Sequence, residues 1–376
     1  MKSPVAEPGT IVADAAEADG PLLSVRDLSV TFRAESLVRA VRTVSYDLAV
    51  GEQVGLVGES GSGKSAGALA LARLLPEYAD VSGTVTLDGT NLMRLTEREL
   101  REVRGDQIGI VYQDPFSSLN PVLTIGKQLA EVLRKHKRLG ARAARRQAAQ
   151  LLGSVGVPNA DDRLSDYPHQ FSGGMRQRAV IAMAVAPRPA LLIADEPTTA
   201  LDVTVQAQIL ELLDELTSQH RTTMLLITHD LGVVAGVTQR VMVMYAGRIV
   251  ESSTTADVFT RASHPYTVAL HRSLPRIDLR QERLVTIEGQ PPDPTRPAEG
   301  CPFAPRCPSR IDRCATEDPP LMTIPTARRA TAGGWNMTSI QDADGVQVPG
   351  PASPHLTACW NPPAPVGGLS ERGSTP

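Results

Sequence analysis

From Leu22 the run LLSVRDLSVTF alternates apolar and polar side chains, as a half-buried strand does. EQVGLVGE at Glu52–Glu59 predicts a second strand that runs into a glycine-rich segment, and SAGALALARLL behind it has the apolar spacing of a helix. Residues 127–154 repeat at helical spacing, with a break at Gly140. A further helix begins at Ser172, and the apolar strand Leu191–Asp195 follows it. A helix from Val203 to about Gln219 leads to the buried strand TTMLLIT, and the short runs VMVMY and GRIVE close the pattern near Phe259. Short strands alternating with helices predict an α/β domain with a largely parallel sheet.

Composition divides the rest of the chain. Residues 1–21 are rich in Ala, Pro, Gly and acid without periodicity, and are expected to form a disordered tail. The periodic domain spans 22–261. From 262 to 332 the Pro density rises (PPDPTRP, CPFAPRCP, DPPL), and three of the chain's four cysteines, Cys301, Cys307 and Cys314, lie in this extension. Residues 333–376 are Gly, Pro, Ser and Thr rich, a loose tail apart from the region of Cys359. The net charge of -3 and an aromatic content of 3% argue against nucleic acid as a partner. The basic stretch Arg134–Arg146 fits a solvated helical face instead. Apolar runs such as Ala179–Ala186 fall short of the roughly 20 residues that cross a bilayer. The acidic N-terminus has no apolar core of a secretory signal, so a cytosolic protein is expected, able to sit on a membrane by docking to other subunits.

Chemistry concentrates in two places. In GESGSGKS, Gly58, Gly61 and Gly63 permit tight turns that aim N–H groups at phosphate oxygens, with Ser60 and Ser62 between them. Lys64 would charge the β- and γ-phosphates of ATP, and Ser65 would offer its hydroxyl to Mg²⁺. A strand before this loop and a helix after it are the context such a phosphate-binding loop requires. The second place is LLIADEP: a buried strand delivers Asp195 and Glu196 at its C-terminal end, where open α/β sheets bind ligands. Asp195 is expected to hold Mg²⁺ through water, and Glu196 to activate the attacking water as general base.

Together these segments resemble the ATP-binding cassette family of transport ATPases, and so imply a P-loop NTPase with a mixed sheet and a helical subdomain at about 114–185. FSGGMRQR is similar to the family's signature, with Phe171 and Met175 in place of the commoner Leu and Gln. Ser172 can cap a helix whose free N–H groups, with Gly173 and Gly174, offer an anion site. The resemblance assigns that site to the ATP of a second cassette in a head-to-tail dimer. It also implies that Gln113 senses Mg²⁺ and γ-phosphate, that Asp202 crosses the dimer interface, and that His229 contacts the γ-phosphate. The aromatic residue that usually stacks on adenine is missing from RAESLVRAV, which leaves Phe32 as the candidate.

Cys301, Cys307 and Cys314 are spaced C-x5-C-x6-C, and Cys359 completes a set of four. A cytosolic setting argues against disulfides; four thiolates suit an iron–sulfur cluster or Zn²⁺, and small buried hydrophobes are the bland alternative. HPYTVALHRSLPR, IEGQPPDP and GCPFAPRCP resemble the C-terminal extension of oligopeptide and dipeptide importer ATPases, as do QDPFSSLNPVLTIG and the signature surroundings. That resemblance implies a [4Fe-4S] cluster on the four cysteines. It also implies a second ATPase subunit, two membrane permeases and an extracytoplasmic solute-binding protein as partners, at the cytoplasmic face of the membrane. Importers of nickel or glutathione use similar ATPases, and a soluble cassette ATPase of DNA repair or translation, or a redox-regulated one, are the other readings.

Overall fold

The computed structural model describes residues 20–199, 201–274, 286–296, 298–324 and 354–363. The expected N-terminal tail, apart from Gly20 and Pro21, lies outside them, as does most of the tail after residue 333. Strand β1 (Leu23–Arg33) pairs antiparallel with β2 (Leu37–Leu48), and its alternation places Leu23, Val25, Leu28 and Val30 in the interior. Strand β3 (Gln53–Val57) is buried at all five positions and leads through the glycine-rich segment into α1 (Lys64–Leu71). Strands β4 (Ala79–Leu87) and β5 (Thr90–Asn91) complete a four-stranded antiparallel sheet ordered β2-β1-β4-β5. Helix α2 (Glu97–Val103) starts at Thr96, which forms a reciprocal capping box with Glu99.

Strand β6 (Ile108–Val111) is followed by α3 (Pro115–Ser118), α4 (Ile125–Lys137), α5 (Ala141–Ser154), α6 (Ala160–Arg163) and α7 (Gly173–Val185). Then come β7 (Leu191–Asp195), α8 (Val203–His220), β8 (Thr223–Thr228), α9 (Leu231–Val234), β9 (Arg240–Tyr245), β10 (Arg248–Thr254), α10 (Thr255–Arg261) and α11 (Pro265–Arg272). Two short strands, β11 (Met322–Thr323) and β12 (Leu356–Thr357), extend the second sheet, ordered β11-β12-β10-β9-β3-β8-β7-β6. Its centre is parallel from β9 to β6, and its β10 end is antiparallel.

Alternate residues of one strand serve different cores. Leu192 and Ala194 of β7 join Met224 and Leu226 of β8 in one cluster; Leu191 and Ile193 join Leu225 and Ile227 in the other. Both faces of these strands are therefore covered, which is why they are apolar at nearly every position. The parallel centre agrees with the sequence pattern and the antiparallel β10 end with the mixed sheet that the resemblance implies; the apolar pattern itself does not mark β2 and β4 of the antiparallel sheet. Strands β2 and β4 are half exposed and carry Arg, Thr, Ser and Asp among their apolar residues, so their alternation is broken. Among the described residues, no helix is long and apolar enough to cross a membrane.

The extension folds back on β10. Glu251 on that strand is fully buried, and its carboxylate accepts the N–H groups of Ser263 (2.7 Å) and His264 (2.9 Å) and Nε2 of His355 (2.7 Å). A buried carboxylate is tolerated only when its oxygens are satisfied in this way. His264 in turn caps α11, its Nδ1 accepting the Tyr266 N–H at 3.1 Å, with Pro265 in the first turn. Burial pushes the His264 imidazole down to about 4, opposed by Glu251 and by a hydrogen bond with the Ala358 backbone. As pH falls below the ordinary histidine range, the unfolded chain binds this proton first, so stability is lost between about pH 6.5 and pH 4, by up to ~3 kcal/mol. His264→Asn keeps a capping acceptor and removes the titration. Its urea midpoint should therefore fall less than that of the wild type between pH 7 and pH 4.5, and equal losses in the two proteins would contradict the assignment.

Candidate functional site

The C-terminal end of β3 delivers the phosphate-binding loop. Gly63 has φ +102°, and a Cβ there would lie 2.1 Å from the Ala40 carbonyl oxygen, so the turn into α1 requires glycine. Ser60 and Gly61 are exposed at the tip, while Ser62 and Lys64 are buried. The Ser62 hydroxyl is buried without a protein partner. Lys64 Nζ donates to the carbonyls of Gly58 (2.7 Å) and Glu59 (2.9 Å). Burial lowers the Lys64 pKa, and the carboxylates of Glu196, Asp195 and Glu59 pull it back up.

Parallel pairing of β3, β8 and β7 sets this loop beside the end of β7. Ser65 Oγ donates to Asp195 Oδ1 at 3.0 Å. Burial raises the Asp195 pKa against the Ser65 hydrogen bond and Lys64. The two hydroxyl and carboxylate oxygens are hard donors, a set that fits Mg²⁺ completed by water and phosphate oxygens. Glu196 follows with φ +46°, a left-handed backbone that costs a non-glycine residue about 1–2 kcal/mol. Its N–H donates to the Ile227 carbonyl (2.9 Å), which helps to hold that conformation. Three side chains meet on its carboxylate: Gln113 Nε2 at 3.0 Å, Thr199 Oγ1 at 2.9 Å and His229 Nδ1 at 3.2 Å. Gln113, Glu196 and His229, separated widely in sequence, thus share one cluster. Thr199 did not stand out in the sequence; its only signal is its position three residues beyond Glu196.

Ser172 caps α7, its Oγ accepting the Met175 N–H at 3.3 Å. A Cβ at Gly174 would lie 2.9 Å from Val205 Cγ1 of α8, and one at Gly173 would touch Leu201. The second glycine therefore has a packing reason within this chain, beyond any role towards an anion. Asp202 caps α8, its Oδ1 accepting the Val205 N–H at 3.0 Å, and the adjacent Val203 is 81% exposed. The starts of α7 and α8 thus lie against each other. The Arg176 guanidinium sits 4.0 Å over the exposed Phe116 ring, which joins α7 to the segment after Gln113. Phe32 packs beside Tyr78, ring centroids 6.0 Å apart.

All four cysteines carry free thiols. The Cys301 N–H donates to the Cys314 carbonyl at 2.9 Å. Burial and the other three thiols push Cys359 up to about 12, and burial raises Cys301 and Cys307, with Cys314 adding to both. Cys359, remote in sequence, thus feels the other three thiols electrostatically. Among the described residues, no three His, Cys, Asp or Glu side chains are arranged to hold one metal ion.

Comparison with known proteins gives this geometry its relatives. Residues 41–199 match the family described as ABC transporter, and residues 250–314 match the oligopeptide/dipeptide transporter C-terminal region. The oligopeptide transport ATP-binding protein OppD of Escherichia coli is 48% identical over 84% of this chain and 94% of its own length. The dipeptide transport ATP-binding protein DppD of Bacillus subtilis is 50% identical over 78% of this chain and 88% of its own. OppD of Mycobacterium tuberculosis is 53% identical over 82% of this chain, which spans only 51% of that longer relative. Among solved structures, the dimeric ATP-binding cassette MJ0796 bound to ADP and Pi matches 62% of this chain and 98% of its own, with a TM-score of 0.56 and 28% identity. The chain belongs to the ABC transporter family, in the branch of the oligopeptide and dipeptide transport ATP-binding proteins.

Proposed function

We propose that this chain binds and hydrolyses ATP to drive peptide uptake through partner permeases. The observation that carries the reading is the meeting of Gln113, Thr199 and His229 on the Glu196 carboxylate, beside Lys64 and the Ser65–Asp195 pair. The loop N–H groups of Gly58, Ser60, Gly61, Ser62 and Gly63 would cradle the phosphates, with the Lys64 charge on the β- and γ-phosphates. Ser65 and Asp195, with Gln113 nearby, would hold Mg²⁺. When bound there, Mg²⁺ would supply positive charge against the charge that develops on the phosphates. Glu196 would take the proton of the attacking water, its carboxylate oriented by Gln113 and Thr199, while His229, whose side chain is 57% exposed, would contact the γ-phosphate.

Ser172, Gly173 and Gly174 would face the ATP of a second cassette, with Asp202 at the interface. The capped, glycine-bearing start of α7, packed against the start of α8 where Val203 is exposed, supports that reading. A second ATPase subunit, two permeases and an extracytoplasmic binding protein complete the transporter, with this chain on the cytoplasmic face. The names of the similar proteins support peptides as the cargo.

For the extension we propose a [4Fe-4S] cluster on Cys301, Cys307, Cys314 and Cys359. An all-thiol donor set supports it, and a single Zn²⁺ would need the thiols drawn around one point, whereas a cluster takes one thiol at each iron. Anaerobically purified protein should show a broad visible absorbance and about four irons per chain, and replacing Cys359 by Ser should remove both. A colourless preparation loaded with zinc would overturn the cluster.

In the reconstituted transporter, Glu196→Gln should keep ATP binding while phosphate release and oligopeptide uptake fall together, by on the order of 100-fold or more. Unchanged phosphate release would remove Glu196 as the base. Intact ATP turnover that drives uptake of nickel or glutathione but not of peptides would replace the cargo.

A further inference from the structure

The phosphate-binding loop is fastened at a residue that its phosphate chemistry does not use. Glu59 is held on every side: its N–H donates to Tyr266 Oη at 2.8 Å, its carbonyl accepts from Lys64 Nζ and the Ser62 N–H, and its carboxylate accepts from Arg306 at 2.7 and 3.0 Å. Arg306 comes from the cysteine-bearing extension, 247 residues further along the chain, and its side chain is 4% exposed.

Its guanidinium is fully engaged. Besides the fork on Glu59, it donates to the Glu288 carbonyl (3.0 Å), the Ile287 carbonyl (3.2 Å) and Tyr245 Oη (3.3 Å). Five donors thus meet five acceptors. The rings of Tyr245, Tyr266 and Phe303 close the block, with centroids 4.5–5.5 Å apart. A buried ion pair adds little net stability, but a bidentate fork fixes position and orientation. It also neutralises a carboxylate next to the place where several phosphate charges must sit.

We infer that Arg306 is a positioning residue for nucleotide binding: through Glu59, and with Tyr266 on the same residue, it holds the phosphate-binding loop in shape and cancels the Glu59 charge. The inference rests on the reading that this loop binds ATP. An unpaired Glu59 would repel the nucleotide in ground state and transition state alike, so its effect belongs in KM and not in kcat.

The test uses the full chain in its transporter, with MgADP binding and ATP turnover as readouts. Arg306→Ala should raise the MgADP Kd and the KM for ATP about tenfold and leave kcat within about twofold. Arg306→Lys, which keeps the charge but not the fork, should recover part of the loss. Removing the unpaired carboxylate, in Arg306→Ala with Glu59→Gln, should bind nucleotide better than Arg306→Ala alone. Asp318→Asn is the control, because Asp318 anchors the extension to Arg42 and Arg248 without touching the loop; its KM should stay at the wild-type value. Wild-type KM in folded Arg306→Ala, or an equal KM rise in Asp318→Asn, would overturn the inference. If Arg306→Ala does not fold, wild-type KM in both Arg306→Lys and Glu59→Gln overturns it. A wild-type protein whose MgADP binding is absent, or unchanged by Lys64→Ala, would overturn the underlying reading instead, and the inference with it.

Discussion

Parallel pairing of β3, β8 and β7 is the constraint on which the site depends. Because these strands run the same way, their C-terminal ends share one edge of the sheet. Lys64 and Ser65 follow β3, Asp195 ends β7 with Glu196 next to it, and His229 follows β8. Parallel pairing in turn requires both faces of the sheet to be covered, which the two apolar clusters accomplish. Gln113 reaches the same edge because β6, beside β7, ends two residues before it. The site is thus a consequence of topology: its side chains come from the segments that follow four different strands, β3, β6, β7 and β8.

Much of this was legible in the chain itself. The β7 strand and the start of α8 follow directly from the apolar run Leu191–Ala194 and the periodicity after Asp202, since buried strands and capped helices write themselves into local sequence. Strands β2 and β4 were not legible, because a half-exposed antiparallel strand carries polar residues that a single-sequence pattern cannot separate from a loop. The packing role of Gly174 was not legible, because the close approach of Val205 that requires it is a tertiary fact. The left-handed backbone of Glu196 had no sequence signal and Thr199 only its position three residues further on, since each is imposed by the turn between β7 and α8.

The extension is a working part of the cassette's architecture rather than an appendage. Glu251 ties it to β10, His264 and Pro265 start α11, and Tyr266 then reaches the phosphate-binding loop from that helix. The HPY segment therefore has a physical meaning for each residue: a cap, a first-turn proline and a hydroxyl delivered to Glu59. Cys301 and Cys307 pack against the cluster that holds Tyr245, Tyr266 and Phe303, and Cys307 directly follows Arg306.

If half of each ATP site comes from another cassette, sedimentation of the Glu196→Gln chain, alone and with the proposed second ATPase subunit, should show a cassette pair in MgATP that dissociates in MgADP. That pair should be lost in Ser172→Arg while this chain still binds ATP. A pair that forms equally in either nucleotide, or that survives Ser172→Arg, would contradict that sharing of the site.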